Sequence, residues 1–267
     1  KQDPPLVRFA ADPHGGPETL WFCFRVRRTG LAESARITLE LAHFDNMLGC
    51  SNGRNLRPVV RCDDGPWTRL KPGAEHLCWD ERRRVRWKSY PFKRSLDVAV
   101  CYPYGRAEVQ TLLNETSGYW RCDTIGVSQQ ARPILRLSNS EAGVNQETPG
   151  LYLIARQHSG ETPGSWVLDG LLRRLAEVQA RRLLVWAVPL SNIDGVEQGD
   201  YGKDNFPYDL NRAWGHPPMR HETLLIQRDV DRWGRLCKPT LAIDFHAPGA
   251  CEATGTYAYV PDPEKWH

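Results

Sequence analysis

Residues 154–166 read Ile-Ala-Arg-Gln-His-Ser-Gly-Glu-Thr-Pro-Gly-Ser-Trp. The stretch leaves an apolar run (residues 150–156) and enters a pattern with helical spacing. Beyond it, Trp166, Leu168, Leu171, Leu172 and Leu175 are assigned to one helical face. A short apolar run followed at once by an amphipathic helix is the β-to-α step of an α/β layer. Thr162 suits the helix N-cap and Pro163 the first helical position. His158 and Glu161 therefore fall on a tight connection, three residues apart, where two side chains can face one point.

The same alternation continues downstream. Residues 182–190 read as a strand, 220–236 as a helix and 238–245 as another strand. The second half is thus expected to be an α/β domain with a mostly parallel or mixed central sheet and helices on both faces. Upstream the period changes to two. Residues 20–101 hold short alternating runs separated by Gly, Pro, Asn and Asp, which predicts an antiparallel β-sandwich. A helical pattern at 105–115 links the halves. The expected domains are 1–125, the sandwich, and 126–267, the α/β domain, with the latter incomplete at its C-terminus.

Ligands of open α/β sheets bind outside the carboxyl ends of the strands. Three strands here run into polar residues: the first into His158, the second into Ser191 and Asn192, the third into His246. Two imidazoles and a carboxylate are a three-ligand zinc set that leaves a coordination position for water. One Zn2+ per chain is expected, held by His158, Glu161 and His246. A lone H-x-x-E occurs in many turns without a metal; its place at a strand-to-helix junction and a third ligand at a parallel strand end give it weight. Residues 188–214 form a long, Gly-rich polar connection, and such loops at this sheet edge tend to be functional. Within it, Arg212 offers a planar fork suited to a carboxylate and Asn211 a neutral donor.

Composition narrows the classes. With 40% hydrophobic and 25% charged residues in 267, the chain is globular and long enough for two domains. No apolar stretch reaches the ~18 residues of a membrane span, so no membrane partner is expected. The net charge of +3 is mild, and the basic runs at 81–88 and 179–182 read as solvated surface rather than a nucleic-acid contact. None of the eight cysteines forms a CxxC; six lie in the first half, which leaves a secreted disulfide framework as the alternative, and free, buried thiols in a reducing compartment are the expectation. The N-terminus shows no signal peptide, which favours a cytoplasmic protein; a secreted or periplasmic one with its signal removed would begin the same way.

These motifs resemble the zinc metallocarboxypeptidases of the carboxypeptidase A-like superfamily, whose zinc ligands are two histidines and a glutamate. The family pattern of H-x-x-E, N-P-D-G, D-x-N-R and a strand-end histidine is met by His158-Ser-Gly-Glu161, Asn192-Ile-Asp-Gly195, Asp209-Leu-Asn-Arg212 and Ala242-Ile-Asp-Phe-His246. The cytosolic carboxypeptidase branch is the most similar, because its H-x-G-E-T-x-x-S-W motif matches residues 158–166 and it carries a β-sandwich ahead of the catalytic domain. The resemblance implies that His158, Glu161 and His246 bind zinc. It implies that Asn211 and Arg212 hold a substrate's C-terminal carboxylate and that Asp209 orients the His158 ring. Zinc would activate water and polarise the scissile carbonyl.

Two departures stand out. Relatives place an arginine in a G-N-Y-R segment to stabilise the carbonyl oxygen. Here residues 199–203 read Gly-Asp-Tyr-Gly-Lys, with Gly202 in the arginine's place and Lys203, the substitute we assign, one residue later. The family's general-base glutamate lies well beyond the third ligand, whereas 267 − 246 = 21 residues follow His246. Glu252 and Glu264 fall there, and neither matches the base motif; the base is expected beyond residue 267. The leading function is a zinc carboxypeptidase acting on the C-termini of peptides or proteins. The alternatives are an aspartoacylase-like zinc acylase on N-acyl amino acids and a non-catalytic zinc-bearing module that binds peptide C-termini. Oligomeric state is not legible.

Overall fold

Period-two alternation through the first hundred residues yields eight strands in the computed structural model, which describes residues 4–12, 19–29, 34–47, 52–77, 83–116, 118–139, 142–203, 208–249 and 255–260. They are β1 (Leu6–Phe9), β2 (Cys23–Arg27), β3 (Thr38–Ala42), β4 (Val59–Cys62), β5 (Trp67–Arg69), β6 (Ala74–Leu77), β7 (Arg83–Lys88) and β8 (Ser95–Ala99). Two four-stranded sheets result, ordered β1-β3-β7-β6 and β2-β8-β4-β5. Leu39, Leu41, Val85 and Trp87 of the first sheet share one apolar cluster with Val60, Leu96 and Val98 of the second.

The antiparallel expectation fails at one place: β1 pairs with β3 in parallel. Between them the chain crosses to the other sheet as β2, and that long excursion is what a parallel pair requires. Residues between the apolar ones point the other way, and each sheet carries a three-strand charge ladder there. Arg8 and Arg86 flank Glu40 in register, with Arg86 Nε 2.5 Å from its carboxylate. Arg25 and Arg61 flank Asp97 at 2.5 and 2.8 Å. The basic run at 81–88 is thus partly spent on Glu40, through Arg84 and Arg86.

The second half begins with α1 (Arg106–Glu115) and continues through β9 (Arg121–Val127), β10 (Pro133–Ser138), β11 (Pro149–Ala155), α2 (Thr162–Glu177), β12 (Leu184–Val188), α3 (Ile193–Gln198), α4 (His221–Leu236) and β13 (Lys238–Phe245). The sheet order is β13-β11-β12-β10-β9. β11 runs parallel to both β12 and β13, while β10 and β9 are antiparallel. This is a mixed α/β layer. The boundary expected after residue 125 falls inside β9. Along β12, Leu184, Trp186 and Val188 face a cluster with Ile226 and Trp233 of α4. Val185 and Ala187 face the other way, onto Leu168, Leu172 and Leu175 of α2.

Trp166 does not join that buried face. It lies two residues before Leu168, about 200° around the helix, and is 41% exposed, its indole N–H donating to Tyr102 O. Five cysteines are described and all are free; Cys23 and Cys122 are exposed, contrary to the expected burial, and Cys50, Cys78 and Cys251 lie outside the described residues. Among the described residues no helix is long and apolar enough to cross a membrane.

Candidate metal centre

β11 delivers the chain into a turn at 156–161, and β13, its parallel neighbour, delivers His246 beside it. Helix α2 starts at Thr162 with Glu161, not Thr162, at the N-cap position. Glu161 makes no cap bond, because its carboxylate is turned to the histidines, and the Thr162 hydroxyl sits 2.9 Å from Cys101 Sγ instead. Gly164 lets the first turn of α2 lie against the end of β13: a Cβ there would stand 2.6 Å from Phe245 O and 2.8 Å from His246 O.

Glu161 is the node of the centre. One oxygen lies 2.8 Å from His158 Nδ1. The other lies 2.7 Å from His246 Nδ1 and accepts the Ala247 backbone N–H at 3.1 Å. His158 and Glu161 are buried and His246 is partly so. Each histidine presents its second nitrogen to another carboxylate. His246 Nε2 is 2.7 Å from Asp244. His158 Nε2 is 3.2 Å from Asp209, within ion-pair reach but outside hydrogen-bond alignment, so this buried nitrogen has no hydrogen bond among the described residues.

Charge follows this geometry. Burial opposes ionisation of Glu161, but the hydrogen bonds from His158 and His246 outweigh it and hold its pKa down to about 2. Burial likewise works against protonated His246, yet Asp244 and Glu161 push its pKa up to about 10. For His158 burial also opposes, and Asp209 and Glu161 still raise the pKa.

The set fits a metal. One ligand atom from each of His158, Glu161 and His246 lies within 4.8 Å of the others. Tetrahedral zinc ligands at ~2.0–2.1 Å stand about 3.3 Å apart, so the 2.7–2.8 Å hydrogen bonds need open only slightly to admit the ion. Carboxylates on the outer ring nitrogens are the partners that metal-bound histidines use to fix ring and tautomer.

The surrounding loops clamp the 156–161 turn. Arg156, buried and at φ 65°, donates to Ser159 O and to Tyr104 O, the latter at 2.6 Å; burial lowers its pKa to about 10. Asn192 N donates to Arg156 O, and its side chain caps α3 by accepting from Gly195 N. Asp194 ties this segment to the β9–β10 turn through Ser128, Gln130 and Arg132. The N-x-D-G motif is therefore a brace for the turn.

Asp209 caps the short 3-10 turn Leu210–Arg212 by accepting from Asn211 N at 2.8 Å, so Asn211 and Arg212 follow directly from the carboxylate that faces His158. The start of α4 pins this loop: Arg220 donates to Tyr208 O, Thr223 to Ala213 O and Gln227 to Trp214 O. Arg212 itself is exposed. Lys203 lies with its ammonium 5.7 Å from the Tyr201 ring centroid, and that ring is 6.3 Å from the His158 ring. Gly202 is pressed on the metal turn: at φ 97°, a Cβ there would meet Ser159 N at 2.2 Å. A side chain at 202 is thus excluded by the local packing. Glu252 and Glu264 lie outside the described residues.

Sequence reasoning missed Asp244 and what supports it. Gln157 donates to Asp244, and Trp214 Nε1 donates to Gln157 at 2.5 Å. The signal was there, since residues two apart on a strand share a face and Asp244 precedes His246 by two.

The zinc carboxypeptidase family model matches residues 106–232. Cytosolic carboxypeptidase 6 of Homo sapiens is 30% identical over 228 residues, covering 77% of this chain and 44% of its own length. The Caenorhabditis elegans protein of that name is 24% identical, covering 86% of this chain and 56% of its own. The chain spans about half the length of these curated relatives. Among solved structures, a metallo-carboxypeptidase from Pseudomonas aeruginosa, in complex with (2-guanidinoethylmercapto)succinic acid, superposes with a TM-score of 0.72 at 25% identity over 92% of this chain and 65% of that one. One from Burkholderia cenocepacia gives 0.71 at 22% identity, over 92% and 66%. With the His-Glu-His cluster beside them, these likenesses agree: residues 106–232 match the zinc carboxypeptidase domain, and the chain is similar to cytosolic carboxypeptidases.

Proposed function

We propose that this chain carries the metal centre of a zinc carboxypeptidase that hydrolyses the C-terminal peptide bond of peptides or proteins. The observation that carries the reading is the convergence of both Nδ1 atoms on Glu161, with each Nε2 facing a carboxylate. His158, Glu161 and His246 hold one zinc ion. Asp209 and Asp244 orient the two rings. Bound there, zinc supplies an activated water and a Lewis acid for the scissile carbonyl. Asn211 and the exposed Arg212 receive the substrate's terminal carboxylate, Arg212 as a fork. Lys203 is assigned to the developing oxyanion. We further read the eight N-terminal strands as a β-sandwich domain beside the catalytic α/β domain, and the protein as cytoplasmic.

The crowding at Gly202 favours a second reading. No arginine fits there, and a lysine is a point charge rather than a fork, so oxyanion stabilisation is weaker or differently built. A zinc-bearing module that binds C-termini without turnover would tolerate that. The named relatives favour the peptidase over an acylase. Mass spectrometry of a mixed peptide pool incubated with the full-length, zinc-loaded gene product separates these. Progressive loss of C-terminal residues is the expected result. Intact peptides with zinc bound overturn the peptidase reading, and release of acyl groups from N-acyl amino acids would replace it.

A further inference from the structure

On the other side of the sheet from α2, β9, β10 and α4 enclose a cleft of about 450 Å³ that the metal centre does not use. Its walls carry Arg121, Arg136, Arg228 and Arg232 against Asp123 and Asp229, a balance of 4 − 2 = +2. Both carboxylates are already engaged. Arg136 reaches Asp229 at 2.9 Å and Asp123 at 2.6 Å, and Tyr152 Oη donates to Asp229 at 2.9 Å. Arg136 is buried, lies 3.7 Å from the Trp186 ring centroid, and its Nε has no hydrogen-bond partner among the described residues. It is a fixed cation in the wall of the cleft.

Arg228 and Arg232 stand four residues apart on α4, one above the other on one face. Like charges so placed disfavour the helix that carries them. Among the described residues Arg228 has no ion pair or hydrogen bond, and Arg232 has no hydrogen bond; it stands 5.5 Å from the Trp186 ring centroid and its charge also acts on Asp229. Guanidinium groups from two strands and a helix thus line one concavity with more positive charge than its own acids neutralise. The volume is that of a small-molecule pocket.

We propose that this cleft binds a phosphate-bearing small molecule. A phosphate group carries more acceptor oxygens and more negative charge around one centre than a carboxylate, so it can meet guanidinium groups from three elements at once. The site lies across the sheet from β13, so it is separable from the zinc centre by substitution.

The test uses the full-length protein with pyrophosphate as probe, with chloride at matched ionic strength and citrate as controls. Thermal denaturation and calorimetric titration compare wild type with R228Q/R232Q; both residues are exposed, so the variant keeps its fold, checked by its zinc content and circular dichroism. The expected result is a Tm rise of about 5–10 °C at a hundredfold excess over Kd in wild type. Affinity should fall by roughly 10–100-fold in the variant. No rise beyond that in chloride, or an equal rise in the variant, overturns the proposal. Binding of citrate but not pyrophosphate overturns the assignment to phosphate. Inorganic phosphate binding as tightly as pyrophosphate would make the free ion the ligand; a phosphate ester binding more tightly than either would make it a metabolite.

Discussion

Replacing Gly164 with alanine tests whether the start of α2 sets the geometry of the metal centre. The new Cβ would stand 2.6 Å from Phe245 O, where ordinary contact begins at 3.4 Å, so helix and strand end must separate by 3.4 − 2.6 = 0.8 Å. The three nearest atoms it meets are all backbone, two carbonyl oxygens and the Phe245 carbonyl carbon, so no side-chain rotation relieves the clash. Glu161 lies three residues before, and its 2.7 Å contact with His246 would open toward 2.7 + 0.8 = 3.5 Å. Alanine brings a helix-propensity gain of about 0.5–1 kcal/mol, whereas overpacking costs about 1–3 kcal/mol. The clash wins by roughly 1 kcal/mol, a Tm drop of about 2–4 °C. Gly170 is the control within the same helix: it is exposed with nothing within 4 Å of its Cβ position, so Gly170→Ala should raise Tm. Zinc affinity, measured by competition with a chromophoric chelator, should fall about tenfold or more in Gly164→Ala and stay unchanged in Gly170→Ala. If the two variants behave alike, or if Gly164→Ala binds zinc as wild type does, the reasoning is wrong.

Three further outcomes follow from named contacts. Asp244→Asn keeps the shape but removes the charge on His246 Nε2, so chelator competition should show zinc affinity lower by roughly 10–100-fold; an unchanged Kd would refute the orienting role. Asp63 accepts three backbone N–H groups, from Lys93, Arg94 and Ser95, which depress its pKa to about 2 from 3.8. A depressed carboxylate stabilises the fold above its unfolded pKa, so the Tm gap between wild type and Asp63→Asn should hold above about pH 4 and close as pH falls to about 2. A gap that persists at pH 2 contradicts it. Arg212→Ala should weaken binding of peptides with a free C-terminus by about 10–100-fold and leave amidated peptides nearly unaffected; equal losses would remove the carboxylate clamp.

Much of the site was legible because its parts are local. The 158–166 motif holds two ligands, the helix start and the glycine that admits His246 within nine residues. β11, β12 and β13 are apolar runs bounded by polar turns, and they could be found by pattern. β9 and β10 could not: Arg121, Asp123 and Arg136 interrupt the apolar pattern, and their charges make sense only once Arg136 meets Asp123 and Asp229 in space. The parallel β1–β3 pair was equally hidden, since strand direction depends on which sheet β2 joins. Thr162 looked like a cap because its residue type favours one; the carboxylate of Glu161 was claimed by histidines from two strand ends, one of them 85 residues away. The loop at 199–203 read as a departure at one position. Only the packing of Gly202 on Ser159 explains why no side chain stands there.

The central claim is that His158, Glu161 and His246 form one zinc site. Elemental analysis of purified, dialysed protein measures it directly, comparing wild type with His158→Ala, Glu161→Ala and His246→Ala. The account predicts one zinc per wild-type chain and substoichiometric zinc in each variant, with folded content intact by circular dichroism. A full equivalent of zinc retained in the variants would contradict it.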